Sequence, residues 1–167
     1  MALTATETAQ RNFAYTTVAL KCSNELHQEM AFPMKDSEAI YPGMLLLAEQ
    51  DTEGDWYTIK QTADATRDLV IALALEKREV GQTVHDVYID GENVSVLFPK
   101  KGDKVLVRVL DGESVNELDY LVSNGDGTVR VVDSGETDIA IFQAVADCNM
   151  AQSESDDEIA LVPAYVL

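Results

Sequence analysis

The sequence predicts an all-β fold, a sandwich or a barrel, on three observations. Short runs of alternating hydrophobicity recur along it, most plainly "NVSVLF" at 93–98 and "KVLVRVL" at 104–110. Asn-Gly and Asp-Gly steps separate such runs, as in "NGDG" at 124–127. Roughly eight or nine short strands, turned at intervals of about 8–12 residues, form the pattern of sandwiches and barrels.

The 167 residues fit one domain, with room for a tail or arm. Hydrophobic residues make up 46% and charged residues 25%, a globular composition. A domain of about 150 residues buries roughly 70% of its unfolded surface, so a core is within reach. The longest apolar run, "LVIALAL" at 69–75, is strand-sized. It falls far short of the roughly 20 residues needed to cross a bilayer. The opening "MALTATETAQ" has neither the basic nor the apolar region of a secretory signal. Use in a cytoplasm, or in something assembled there, is the expectation.

Charge narrows the partners. Thirty Asp and Glu against twelve Lys and Arg give a net charge of −18. Binding nucleic acid requires Lys and Arg to displace phosphate counterions, and the nearest basic group, Lys100, Lys101 and Lys104, is too small a patch. Direct contact with nucleic acid or with an anionic membrane is not expected. Such a charge keeps a protein soluble at high local density, and it also fits a salty habitat. Cys22 and Cys148 form neither a CxxC pair nor a zinc spacing, and read as two separate buried or half-buried thiols.

The elements follow in order. Residues 1–20 are Thr/Ala-rich, with Phe13, Tyr15, Val18 and Leu20 as the only anchors, and read as an extended arm or a first edge strand. Residues 21–167 read as a single domain. "FPMKDSEAIYPGM" at 32–44 is a loop by its prolines, and Pro42-Gly43 is a strong turn signal. "DTEGD" at 51–55 separates strands 44–49 and 56–62 as in a hairpin. "DLVIALALEK" at 68–77 is ambiguous between helix and buried strand; its β-rich surroundings favour the strand. A polar excursion follows at 78–92. Val94, Val96 and Phe98 then share a face, as do Val105, Val107 and Val109. "DYLVS" and "TVRVVDS" flank "NGDG" as a hairpin. "DIAIFQAVADC" at 138–148 is either an amphipathic helix through Ile139, Phe142 and Val145 or another strand. "EIALVPAYVL" at 158–167 is a last strand, whose Pro163 predicts an edge or a bulge. "DGENV" at 90–94 and "DGESV" at 111–115 are two similar turns before two similar strands, and "ESDDE" at 154–158 is a solvated loop.

Catalytic chemistry finds no footing. A nucleophile needs a base beside it and a group to orient that base. The two histidines, His27 and His85, stand in no such motif, and GxSxG, P-loop and GxGxxG patterns are absent. The hairpin invites a calcium loop, but aligning Asn124, Asp126 and Gly127 puts Val122 at the first ligand position and Asp133 at the twelfth. The first ligand is missing, and no metal is expected. The run 100–135 also has the outline of a biotin- or lipoyl-carrying domain. Such a domain joins its cofactor to a lysine at the hairpin tip. Here the tip is "SNGDGT", and no lysine follows Lys104. No cofactor is expected, and the chain does not read as an enzyme.

Taken in order, "YPGMLLLAEQ", "LVIALALE" and "FPKKGDKVLVRVLDGESVNELDYLVSNGDGTVRVVD" resemble the head decoration, or capsid cement, proteins of tailed bacteriophages and related viruses. The likeness covers residues 40–146 and is best over 99–133. One step departs: Glu117-Leu118-Asp119 stands where the family pattern has Gly-Asp, so the turn glycine is lost. The resemblance implies a small β-barrel or β-tulip domain on the outside of the major capsid protein shell, as a homo-oligomer (trimer favoured, dimer as alternative) that reinforces the virion. It also implies that the arm, through Phe13, Tyr15 and Val18, contacts the capsid or a neighbouring subunit. The alternative is another virion part: a head fibre base, or a tail or receptor-attachment component.

Overall fold

The computed structural model describes residues 18–21, 28–34, 39–50, 52–60, 71–77, 80–89, 91–135, 137–149 and 161–167. Its regular elements are all strands. The largest sheet has six, in the order β1 (Ala19–Lys21), β7 (Lys104–Arg108), β13 (Leu161–Val166), β11 (Phe142–Ala144), β9 (Tyr120–Ser123) and β10 (Val129–Val131). A three-stranded sheet runs β2 (Gln28–Pro33), β6 (Asn93–Phe98), β5 (Leu73–Ala74). Two strand pairs complete the fold: β3 (Leu46–Gln50) with β4 (Trp56–Lys60), and β8 (Ser114–Val115) with β12 (Cys148–Asn149). Every named strand pairing is antiparallel.

Two apolar clusters form the core, and the segment 71–75 divides its side chains between them. Ile71, Leu73 and Leu75 join the larger cluster, while Ala72 and Ala74 join the smaller. This alternation gives the strand alternative over 71–75, where β5 forms, while 68–70 lie outside the described residues. Neither face meets water, so the sequence shows one continuous apolar run instead of a period of two. β6 is shared in the same way: Val94 and Val96 enter the smaller cluster and Leu97 the larger. The hairpins at 46–60 and 120–131 form as predicted, Leu46 pairing with Lys60 and Ser123 with Val129. The paired turns behave as two separate turns too, with Gly91 and Gly112 both at positive φ just before β6 and β8.

Two expectations change, and one open alternative is decided. Phe32 and Pro33 belong to β2, opposite Val94 and Asn93, and not to a loop. Proline is tolerated there because β2 is the edge strand of its sheet. The segment 138–148 takes the strand alternative: β11 fits between β9 and β13, and Ile139 is exposed. Pro163 lies at neither an edge nor a bulge. β13 is interior, with Pro163 opposite Leu106 of β7. Its carbonyl accepts the Val145 N–H at 2.8 Å, so its backbone faces the β11 side, one step past the last residue of β11. There a missing N–H leaves no ladder bond broken.

Candidate interaction surface

The motif residues meet in the fold. The Leu45 N–H donates to the Gly127 carbonyl at 2.8 Å, joining Pro-Gly-Met to the Asn-Gly-Asp-Gly-Thr hairpin. A Cβ on Gly127 would lie 3.4 Å from that same Leu45's oxygen and from Met44. Gly43, at φ +86, packs against the sheet so closely that a Cβ would come within 3.0 Å of Leu161. The Asp126 carboxylate accepts from the Thr128 hydroxyl and amide. Burial alone would raise this carboxyl, but those bonds and Asn124 outweigh it and hold it below the usual value. Asp103, 2% exposed, accepts the Lys100 N–H at 2.8 Å and so closes the turn into β7.

Arg108 is the residue that sequence reasoning missed. It alternates with Val107 and Val109 and is only 2% exposed. Its Nε donates to the Pro42 carbonyl at 2.8 Å and its Nη2 to the Val84 carbonyl at 2.6 Å. The guanidinium lies 4.6 Å from the centre of the Tyr41 ring. Burial pushes it down to about 9, with Tyr41 acting the other way. It stays charged at neutral pH and is held by carbonyl oxygens and an aromatic face.

These contacts cover one end of the outer face of the six-stranded sheet. The other end is open. Register places Tyr120 opposite Gln143, Gln143 opposite Tyr165, and Tyr165 opposite Lys104. Directly opposed residues point to the same side, so the four form a row across β9, β11, β13 and β7. Tyr120 is 52% exposed and Tyr165 43%. Leu167 alternates onto the same face as Tyr165, and the Gln143 side-chain amide donates to the Leu118 carbonyl at 3.3 Å, bringing the turn at 116–119 to this face. Leu118 is 65% exposed and holds φ +74. This is the left-handed backbone region that favours glycine. No sequence signal finds this row, because it exists only through pairings between segments distant along the chain.

A second exposed apolar group lies on the polar excursion. Val80, Val87 and Ile89 line a groove of about 400 Å³ with Lys77, Gln82, Asp86 and Glu92. Lys77 lies 3.5 Å from Glu92 and 4.9 Å from the Tyr88 ring centre. The Thr83 amide and hydroxyl hold the Asp86 carboxyl below its usual value, with His85 adding to the effect. Tyr88 itself is buried, donating to the Leu75 carbonyl and accepting from the Ser95 N–H.

Of the sequence-expected contact residues, Val18 is buried in the domain's own core. Its N–H donates to the buried Glu76 carboxylate at 3.0 Å and its carbonyl accepts the Leu106 N–H at 2.8 Å. Phe13 and Tyr15 lie outside the described residues, as do Cys22, His27 and the acidic run 154–158. Cys148 is buried and His85 is exposed in the excursion. Among the described residues, no group of three or more His, Cys, Asp or Glu is placed to hold a metal, and no helix is long and apolar enough to cross a membrane. No family model and no curated protein matches the chain.

Proposed function

We infer that this protein is a capsid decoration protein, a non-enzymatic cement that binds the outer surface of a major capsid protein shell and stabilises the expanded head. The observation that carries this reading is the meeting of the quoted motifs. Pro-Gly-Met packs on the Gly-Asp-x-Val strand through Gly43 and Arg108, and bonds to the Asn-Gly-Asp-Gly-Thr hairpin through Leu45 and Gly127. Each motif is mere turn chemistry alone. Together they build one side of a single domain, as an ordered family pattern would require.

The finer fold that goes with this reading is a small β-barrel. It is supported by the parallel bridge between Val109 and Val129 and by the Leu110 N–H donating to the Val129 carbonyl at 2.8 Å. These bring the outer edge of β10 back to the continuation of β7. The net charge of −18 suits a protein crowded in many copies on a particle and kept off its DNA. The Val18 N–H, bonded to Glu76, ties the residue before β1 to the core, and this reading includes an arm over residues 1–20 that reaches a capsid or a neighbouring subunit.

The test is sedimentation of the purified protein with expanded, undecorated shells of its own virus, reading copies bound and the temperature of shell rupture. Saturable binding with later rupture is expected. Failure to bind overturns the reading, and binding without later rupture replaces cementing with display.

A further inference from the structure

The row Tyr120–Gln143–Tyr165–Lys104, exposed at its tyrosines and half-buried at Gln143 and Lys104, has a charge asymmetry that decides what it fits. Lys104 ends the row on β7, and backbone pairing sets Lys21 of β1 opposite it. Lys101 lies in the turn that leads into β7, where the Gly102 N–H donates to the Val166 carbonyl at 2.8 Å. Lys101, exposed, and Lys104, half-buried, thus stand at one corner of this face. The opposite corner is acidic. Glu117 lies in the turn that leads into β9, and its N–H donates to the Asp147 carboxylate at 2.7 Å. Because β9, β11, β13 and β7 alternate in direction, the turns before β9 and β7 fall at opposite ends of the sheet. Three strand spacings, about 15 Å, separate them across it.

We propose that this face docks a second copy of the same chain in a two-fold pair. Rotation by a half-turn about an axis in the plane of the face sets the lysine corner of one copy on the Glu117 corner of the other, at both ends of the row. The tyrosines then stack over each other's sheets in between. Elsewhere two copies at −18 each repel. Here each lysine corner meets opposite charge, and the interior of the row carries tyrosine and glutamine, residues suited to the centre of an interface. Leu118 and Leu167, both exposed, extend the apolar part at either side. The side chains that make the contact lie outside the core, so association and folding are separable.

The setting of this pair rests on the decoration reading, but the contact is measured without capsids. The experiment is sedimentation velocity of the full chain over a wide concentration range, at low and high salt, with variants. The wild type is expected to associate reversibly. Tyr120→Ala and Tyr165→Ala each weaken association about tenfold or more, as truncation of a central aromatic does, with melting temperature unchanged. Lys104→Glu and Glu117→Lys each abolish association alone, and an equimolar mixture of the two recovers it, because both corners then meet opposite charge. A wild type that stays monomeric overturns the proposal, as do variants that associate like wild type or a mixture that does not recover. Shell binding by a monomeric wild type keeps the decoration reading and removes the pair. Association without shell binding keeps the pair and removes that reading.

Discussion

The Nη2 of Arg108 lies 2.6 Å from the carbonyl oxygen of Val84, so a cation on the six-stranded sheet holds down a loop 24 residues earlier in the chain. The same guanidinium takes the Pro42 carbonyl through Nε. Two segments with little regular structure are thereby anchored on one planar group. Lysine carries the charge on a single nitrogen and lacks the planar fork that meets Pro42 through Nε and Val84 through Nη2. Arg108→Lys is expected to lower stability by about 1.5–3 kcal/mol, the worth of one charge-assisted bond, as read from urea unfolding. A variant as stable as wild type would mean that the carbonyls find other donors.

The tight packing of Gly43 gives a graded prediction. Alanine at Gly43, Gly127 and Gly112 meets positive φ at all three, costing about 1–2 kcal/mol each. Only at Gly43 does the new Cβ also come within 3.0 Å of another side chain, and at Gly112 it meets nothing within 4 Å. Thermal unfolding should therefore rank the losses Gly43→Ala, then Gly127→Ala, then Gly112→Ala. The first should exceed the last by at least about 1 kcal/mol, the cost of overpacking.

Leu118 occupies a left-handed backbone while most of its side chain is in water. Glycine there relieves strain of about 1–2 kcal/mol and gives back about 0.5–1 in unfolded-state entropy. Leu118→Gly is expected to raise stability by about 0.5–1 kcal/mol in denaturant titrations. Leu118→Val should lower it, since β-branching suits this region worse. Equal stability of all three would show that the turn adjusts its backbone freely.

Asp126 carries the pH dependence of the hairpin. Its carboxyl is held below the ordinary 3.8 in the folded state. The stabilisation is therefore complete above 3.8 and is lost as the pH falls through the lower folded value. Comparing wild type with Asp126→Asn across acid pH should show a stability gap that is widest near neutrality and closes in acid. A gap that persists unchanged in acid would mean the charged form contributes nothing.

What was legible in the sequence follows from where the periods lie. The strands at 93–98 and 104–110 and the hairpin about "NGDG" showed themselves through alternation and turn chemistry, which are local. Residues 71–75 hid their alternation because Leu73 and Ala74 both face apolar clusters. Arg108 drew no reading within "KVLVRVL", since nothing local announces that the Pro42 and Val84 carbonyls will meet it. The row from Tyr120 to Lys104 depends on three registers among four strands far apart in the chain. Pro163 misled for a related reason: proline rules describe a strand's neighbours, and β11 stops one residue short of it.

The position of β13 bears on how the protein is made. Among the described strands, β7 with β1, and β11 with β9 and β10, are joined in the large sheet by strand pairing through β13, and beyond that by the isolated bridge from Val109 to Val129. A ribosome has therefore produced five of the six strands before the one that unites them emerges. Until residues 161–166 are free, β7 and β11 each present an edge with no permanent occupant, and open edges template pairing with other chains. A stalled or truncated nascent chain is exposed to loss by edge-to-edge aggregation, while the complete chain closes both edges with a single insertion.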